Sequence, residues 1–108
     1  MTVQELLDHG FTKVALPDGS RVIDGVYIGD LLSWVMGRCQ MDNAWVTIMS
    51  NNNVIAVASL SDASCVILAE GVELSPGLIE LAEDKDINVL SSPKSAYEIA
   101  VTLSELLK

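Results

Sequence analysis

Four short, almost entirely apolar segments recur along the chain, and they constrain the fold more than any other feature of the sequence. They cover residues 26–28, 44–49, 64–69 and 87–90. Strands that read as continuous apolar runs are buried on both faces, which is typical of parallel strands covered by helices. The segments therefore predict an α/β domain of three layers, in which a mostly parallel sheet carries helices on both faces.

Helical patterns and helix-start residues lie between these segments. A helix is predicted over residues 31–38, a second from the Ser50 region to about residue 60, and two more that begin near residues 75 and 92. Ser and Asp satisfy the free N–H groups of a first helical turn, and proline is tolerated there. The predicted N-cap residues of three of these helices are Asp30, Ser75 and Ser92.

The first quarter of the chain has a weaker pattern. Residues 12–16 are predicted to form a strand that ends at the turn sequence Pro17-Asp-Gly19. Residues 21–23 would then return as the partner strand of a hairpin. The 108 residues are expected to form a single domain, because the sequence contains no linker and no low-complexity segment.

The charge balance restricts the partners. The chain has 15 Asp and Glu against 6 Lys and Arg, for a net charge of −9. Binding to nucleic acid or to anionic membranes depends on clustered Lys and Arg, so neither partner is expected. No segment resembles a signal peptide or a membrane span, which predicts a cytoplasmic location.

The hydropathy indicates self-association. Mean hydropathy is +0.40, and only 19% of the residues are charged. A small domain has a large surface for its volume, so part of this apolar excess must be exposed, and extended apolar patches mark interfaces. Trp and Met are enriched at interface cores. A homodimer interface is therefore predicted around residues 34–49, with Trp34, Met36 and Trp45 as its main candidates.

Polar residues follow the predicted strands at the edge where ligands bind in open parallel sheets. The candidate ligand-binding residues at this edge are Ser50, Asn51, Asn52, Asn53, Glu70, Gly71, Ser91 and Ser92. Such residues also serve as helix caps and turn formers, although three consecutive asparagines exceed what one cap needs. Both interpretations stay open at this point: helix capping, and a site for a neutral or weakly charged ligand.

No catalytic or metal-binding motif is present. Asp30, Glu70 and Glu73 could hold Mg²⁺ only if they converge, and His9 is the only histidine. Cys39 and Cys65 lack the spacing of a zinc site, and a disulfide is not expected in a reducing compartment. The sequence therefore predicts no metal, no cofactor and no enzymatic activity.

The chain resembles the DRTGG domain family over roughly residues 20–108. The resemblance is carried by four segments: Gly25-Val-Tyr-Ile-Gly-Asp, Ala44-Trp-Val-Thr-Ile-Met, Cys65-Val-Ile-Leu-Ala-Glu-Gly and Ile87-Asn-Val-Leu-Ser-Ser-Pro. It implies the α/β fold of the N-terminal domain of HPr kinase/phosphorylases. It also implies a regulatory or oligomerising role, since such domains accompany CBS domains in some pyrophosphatases and occur in some phosphotransacetylases.

The sequence departs from the motif that names this family. Residues 50–53 stand where the family has Asp-Arg, and Ala69-Glu70-Gly71 stands where it has Thr-Gly-Gly, so only the final glycine is kept. Short stand-alone members tend to be encoded near iron-hydrogenase and sensor-kinase genes. The resemblance thus implies a non-catalytic module that self-associates and docks on a metabolic enzyme or kinase. The alternative is a sensor of a nucleoside-like or sugar-like molecule.

Overall fold

The structure is a computed structural model that describes residues 1–108. It contains five strands, four α-helices and one 3₁₀ helix over Gln4–His9. The strands are β1 (Thr12–Ala15), β2 (Val26–Ile28), β3 (Ala44–Thr47), β4 (Cys65–Leu68) and β5 (Val89–Ser91). The α-helices are α1 (Leu32–Arg38), α2 (Asn52–Ser61), α3 (Pro76–Asp84) and α4 (Ala96–Leu106).

The strands form one mixed sheet in the order β1-β5-β4-β3-β2. Strands β2 to β5 are parallel neighbours, and β1 alone pairs antiparallel, with β5. This confirms the predicted α/β fold with a mostly parallel sheet. The four strands that the apolar segments predicted all form, with ends that differ by at most two residues.

Two apolar clusters cover the two faces of the sheet. The cluster on one face includes Val66 and Leu68 of β4 and lies under α1, α2 and α3. The opposite cluster includes Ile67 of β4 and lies under α4 and the 3₁₀ helix. Because successive side chains of β4 point to opposite faces, a fully apolar strand is what this three-layer packing requires.

The predicted hairpin in the first quarter is wrong. Strand β1 does not pair with residues 21–23 but with β5, where Thr12 faces Ser91. Val22 instead forms an isolated bridge with Thr2. The reason is that β5 would otherwise leave its outer backbone groups unpaired, and β1 covers that edge. Asn88, which is 2% exposed, fixes the intervening turn by donating to the carbonyl of Asp18 at 2.7 Å.

Two predicted helix caps also need correction. The N-cap of α1 is Leu31, and the carboxylate of Asp30 accepts instead from the Thr47 hydroxyl at 2.7 Å and the Ile48 N–H at 3.0 Å. The last helix does not begin after Ser92. Its N-cap is Ser95, which forms a capping box with Glu98. That reciprocal pair satisfies two backbone N–H groups, whereas a serine at position 92 offers only one such contact.

Candidate functional site

An open cleft lies at the carboxyl edge of the sheet, next to β5. Its volume is about 540 Å³, within the usual range for small-molecule sites. Four parts of the chain enclose it: the start of β1, the loop between β4 and α3, the first turns of α3, and the end of β5. The lining residues are Lys13, Val14, Gly71, Val72, Glu73, Leu74, Pro76, Ile79, Ser91, Ser92 and Pro93. We call this space the edge cleft.

The loop after β4 is held in a tight turn that shapes the edge cleft. Glu70 and Gly71 both have positive φ, +62° and +71°, which reverses the chain directly after the strand. The Glu70 N–H donates to the carbonyl of Lys94 at 2.8 Å, and the Gly71 N–H donates to that of Ser92 at 3.0 Å. Glycine suits this left-handed conformation because it has no Cβ. The loops that follow β4 and β5 are thereby joined on one side of the cleft.

Two serines close the floor of the edge cleft. Ser92 is 3% exposed, its N–H donates to the Leu68 carbonyl at 2.9 Å, and its hydroxyl accepts from the Lys94 N–H at 3.1 Å. Ser91 is half-buried, and its hydroxyl has no hydrogen-bond partner in the protein. Both hydroxyls therefore retain a proton that they can donate to a ligand.

The asparagines lie elsewhere. Asn51 is the N-cap of α2, where its side chain accepts from the Asn53 N–H at 3.0 Å. Asn52 and Asn53 line a second cleft of about 490 Å³ between α2 and α3, which also contains Lys85. The candidate residues are thus divided between two clefts. Gly71, Ser91 and Ser92 belong to the edge cleft, Asn52 and Asn53 to the other, and Ser50, Asn51 and Glu70 line neither.

Sequence reasoning missed Lys13. It lies on β1, and the antiparallel pairing with β5 brings it to the carboxyl edge, opposite Leu90. Its side chain is exposed and forms no ion pair. Lys13 is the one basic residue that lines the edge cleft, and its pairing with Leu90 directs its side chain toward the face of the sheet that α4 covers. The signal that could have revealed Lys13 is the alternative pairing of β1, since an antiparallel edge strand begins where its neighbour ends.

The structure separates the three residues that were predicted to form an interface. Trp45 is 0% exposed, and its indole N–H donates to the carbonyl of Gly29 at 2.9 Å, so its assignment to an interface is corrected: it belongs to the core. Trp34 and Met36 are each 53% exposed. They are two residues apart, so they point to opposite sides of α1. The guanidinium of Arg38 lies 3.9 Å above the Trp34 ring, in cation–π contact.

The acidic and thiol groups do not assemble into a metal site. No three His, Cys, Asp or Glu side chains are placed to hold a metal ion. Both cysteines are free and buried. Burial raises the pKa of the Cys39 thiol, and it raises the pKa of the Cys65 thiol to about 12. No helix has the length and apolar character that crossing a membrane requires.

The family model of the DRTGG domain matches residues 19–106. The chain belongs to the DRTGG domain family. A similar solved structure contains the CBS and DRTGG domains of the regulatory region of Clostridium perfringens pyrophosphatase, in complex with its activator diadenosine tetraphosphate. The TM-score is 0.71 at 14% identity, with 93% of this chain and 44% of the other covered, so the likeness extends to the fold and to less than half of that protein. No curated protein matches the sequence.

Proposed function

We propose that this DRTGG domain is a non-catalytic regulatory module that self-associates and modulates a metabolic enzyme or kinase. Membership of the family supports a regulatory role, since the similar DRTGG domain belongs to the regulatory region of an enzyme. The carboxylate of Asp30, a candidate acid, is occupied by hydrogen bonds to the end of β3. Because these hydrogen bonds link the end of β2 to the end of β3, they support a structural rather than a catalytic role for Asp30.

The observation that carries self-association is the exposed apolar surface around α1. Leu31 is 60% exposed and Trp34 is 53% exposed, and they lie three residues apart on one side of the helix. We call Leu31, Trp34 and Arg38 the α1 surface. In the chain it comes directly after β2, the edge strand of the sheet, which has backbone groups free on its outer side. Trp and Arg are enriched among the residues that contribute most to the binding energy of interfaces.

The test is the oligomeric state of Trp34→Glu. Burying a carboxylate in an apolar contact is costly, so this variant is expected to be a folded monomer where the wild type is a dimer. Tyr97→Glu is the matched control, because Tyr97 is an exposed aromatic residue (78%) on α4, on the opposite face. Light scattering after size exclusion reports the mass of each, and circular dichroism reports folding. A dimeric Trp34→Glu variant would refute the α1 surface, and dissociation by Tyr97→Glu alone would move the interface to α4.

The edge cleft favours a second function, a small-molecule sensor. Its volume of about 540 Å³ and its mixed lining suit a ligand the size of a nucleoside or a sugar. Thermal-shift screening of wild type against Ser91→Ala and Asn52→Ala separates the two clefts. A ligand of the edge cleft loses affinity with the first variant and keeps it with the second. The opposite pattern would assign sensing to the cleft between α2 and α3.

A further inference from the structure

We infer that two copies of this chain pair through the outer edges of strand β2, so that their two five-stranded sheets join into one continuous sheet. This inference rests on the self-association proposed above and adds a second contact, the β2 edge, to the α1 surface. Three observations carry it: backbone groups of β2 without a partner, side chains that match when the strand pairs with itself, and an α1 surface too small for a dimer on its own.

The outward backbone groups of β2 belong to Val26 and Ile28. The Gly25 carbonyl accepts from the Ala44 N–H of β3 at 2.9 Å, and the Gly29 N–H donates to β3 at 3.1 Å. Bonding directions alternate along a strand, so Val26 and Ile28 direct their N–H and C=O groups away from β3. No other strand lies on that side, and these groups have no hydrogen-bond partner in the protein.

The opposite edge of the sheet, strand β1, is protected in a way that β2 is not. Strand β1 carries Lys13, and its pairing with β5 shifts in register between Lys13 and Ala15. Charged residues and irregular register are devices that keep an edge strand from pairing with another chain. The three residues of β2, Val26–Ile28, include no charge and no proline, and their register with β3 is regular. The β2 edge is therefore the one suited to a further strand.

Strand β2 is complementary to itself in an antiparallel pair centred on Tyr27. Val26 of each copy then faces Ile28 of the other, and their outward N–H and C=O groups bond to each other. Ile28 is 45% exposed and would pack on a valine, while the two Tyr27 side chains would face each other across the axis. Aromatic and β-branched cross-strand pairs stabilise a sheet. Asp24 and Asp30 of opposite copies would also face each other, and this like-charge contact limits the pairing to the three strand residues.

The α1 surface alone offers less area than a stable dimer needs. Leu31 is 60% exposed and Trp34 is 53% exposed, and even a fully buried aromatic side chain contributes only about 150–250 Å². With Arg38, these side chains offer on the order of 400 Å². A standard interface buries about 800 Å² on each partner. Self-association through α1 therefore requires an adjoining contact, and the β2 edge provides one.

The path of the chain places the two contacts on the same side of the molecule. Leu32 and Val35 of α1 pack toward the sheet, and α2 packs against α1 from the side of β4. Because the crossover from β2 through α1 to β3 is right-handed, the flank that carries Leu31, Trp34 and Arg38 points outward past β2. Pairing of the β2 edges about a two-fold axis puts both α1 helices on the same face of the joined sheet, with these flanks turned toward each other.

The direct test is amide hydrogen exchange of the full chain, followed by ¹H–¹⁵N NMR spectra, in wild type and in Trp34→Glu. The N–H groups of Val26 and Ile28 are expected to exchange at least about tenfold more slowly in the wild-type dimer than in the monomeric variant. Two amides are internal controls. The Tyr27 N–H, which points to β3, should be protected in both proteins, and the Glu73 N–H, which has no acceptor, should be protected in neither.

A pair of substitutions separates the backbone contact from the side-chain contact. Ile28→Pro removes the outward N–H, and proline is tolerated on an edge strand where the N–H faces away from the sheet. Ile28→Ala is the matched control, because it loses the same side chain and keeps the N–H. The dimer of Ile28→Pro should be at least about tenfold weaker than that of Ile28→Ala in analytical ultracentrifugation. Circular dichroism reports the folding of both, and the exchange rates decide the question if Ile28→Pro does not fold.

The outcomes distinguish this inference from the proposed function. A wild-type dimer that Trp34→Glu dissociates, but in which the Val26 and Ile28 amides exchange as fast as in the variant, would overturn the edge pairing and leave the α1 surface standing. Equal dissociation constants of folded Ile28→Pro and Ile28→Ala would also overturn the edge pairing. A wild-type chain that is monomeric would overturn both proposals.

Discussion

The guanidinium of Arg21 joins two loops at the amino end of the sheet, and its removal gives a quantitative test of the fold. Its Nη2 donates to the Asp42 carboxylate at 2.8 Å and to the Asp62 carbonyl at 2.9 Å, and its Nη1 donates to the Asp62 carboxylate at 3.1 Å. Burial alone would lower the pKa of Arg21, but the hydrogen bonds and charges of the two aspartates raise it above its ordinary value. The group therefore stays charged and ties the N-terminal segment to both loops.

The expected cost of Arg21→Ala is about 2 kcal/mol in the free energy of unfolding. The bond to the Asp62 carbonyl should contribute about 1 kcal/mol. The two ion pairs together should contribute about 1 kcal/mol, because the aspartate side chains are 36% and 58% exposed and solvent screens them. Arg21→Lys should lose about half of the total, since a single ammonium group cannot span both loops.

Urea denaturation followed by circular dichroism measures these differences. Lys108→Ala is the matched control, because it removes a cation from the exposed pair with Glu105, at 71% and 66% exposure, and should cost less than about 0.5 kcal/mol. If Arg21→Ala is no less stable than Lys108→Ala, the contact does not join the loops in solution. An equal loss in Arg21→Lys and Arg21→Ala would show that the forked geometry, rather than the charge, carries the whole effect.

Two further predictions concern a buried thiol and a helix cap. The pKa of Cys65 is raised from 9.0 to about 12, so its contribution to stability is fully present below pH 9 and is lost as the pH rises through 12. At pH 10 the loss is about 1 kcal/mol, so urea titrations should show a larger fall in stability between pH 8 and pH 10 for wild type than for Cys65→Ala, in which only the Cys39 thiol with its raised pKa remains. In the native state Cys65 should also resist alkylation until the protein unfolds, and rapid alkylation of the folded protein would contradict its burial. Ser95→Ala should cost about 1 kcal/mol by removing the capping box of α4, whereas Ser104→Ala in the same helix should cost nothing; equal stability of the two variants in urea would exclude the cap.

Local patterns predicted most of this fold because the energies behind them are local. Strand β4 could be predicted from Val66-Ile67-Leu68, since burial on both faces requires an apolar residue at every position. Helix α3 begins at the predicted Ser75-Pro76 step. The pairing of β1 with β5 could not be predicted in this way, because it depends on which sheet edge is free, a property of the assembled sheet.

The candidate site was harder to predict, because it too depends on how the assembled sheet is arranged. Gly71 follows β4, and Ser91 and Ser92 lie at the end of β5, so the rule for parallel sheets placed them together. Asn52 and Asn53 also come shortly after a strand, but they lie in the first turn of α2 and line the cleft between α2 and α3. Lys13 lines the cleft because β1 pairs antiparallel with β5, a pairing that the sequence analysis did not predict. Trp34 and Trp45 lie in similar apolar surroundings in the sequence, and only the packing of α1 and β3 shows which of the two is exposed.

The most direct test of the central claim is the oligomeric mass of the wild-type chain by native mass spectrometry, repeated with Trp34→Glu. Self-association through the α1 surface predicts a dimer of twice the 11.6 kDa chain mass that the substitution converts to a folded monomer. A wild-type chain that remains monomeric up to millimolar concentration would contradict this account, because its exposed apolar surface would then serve no contact between copies.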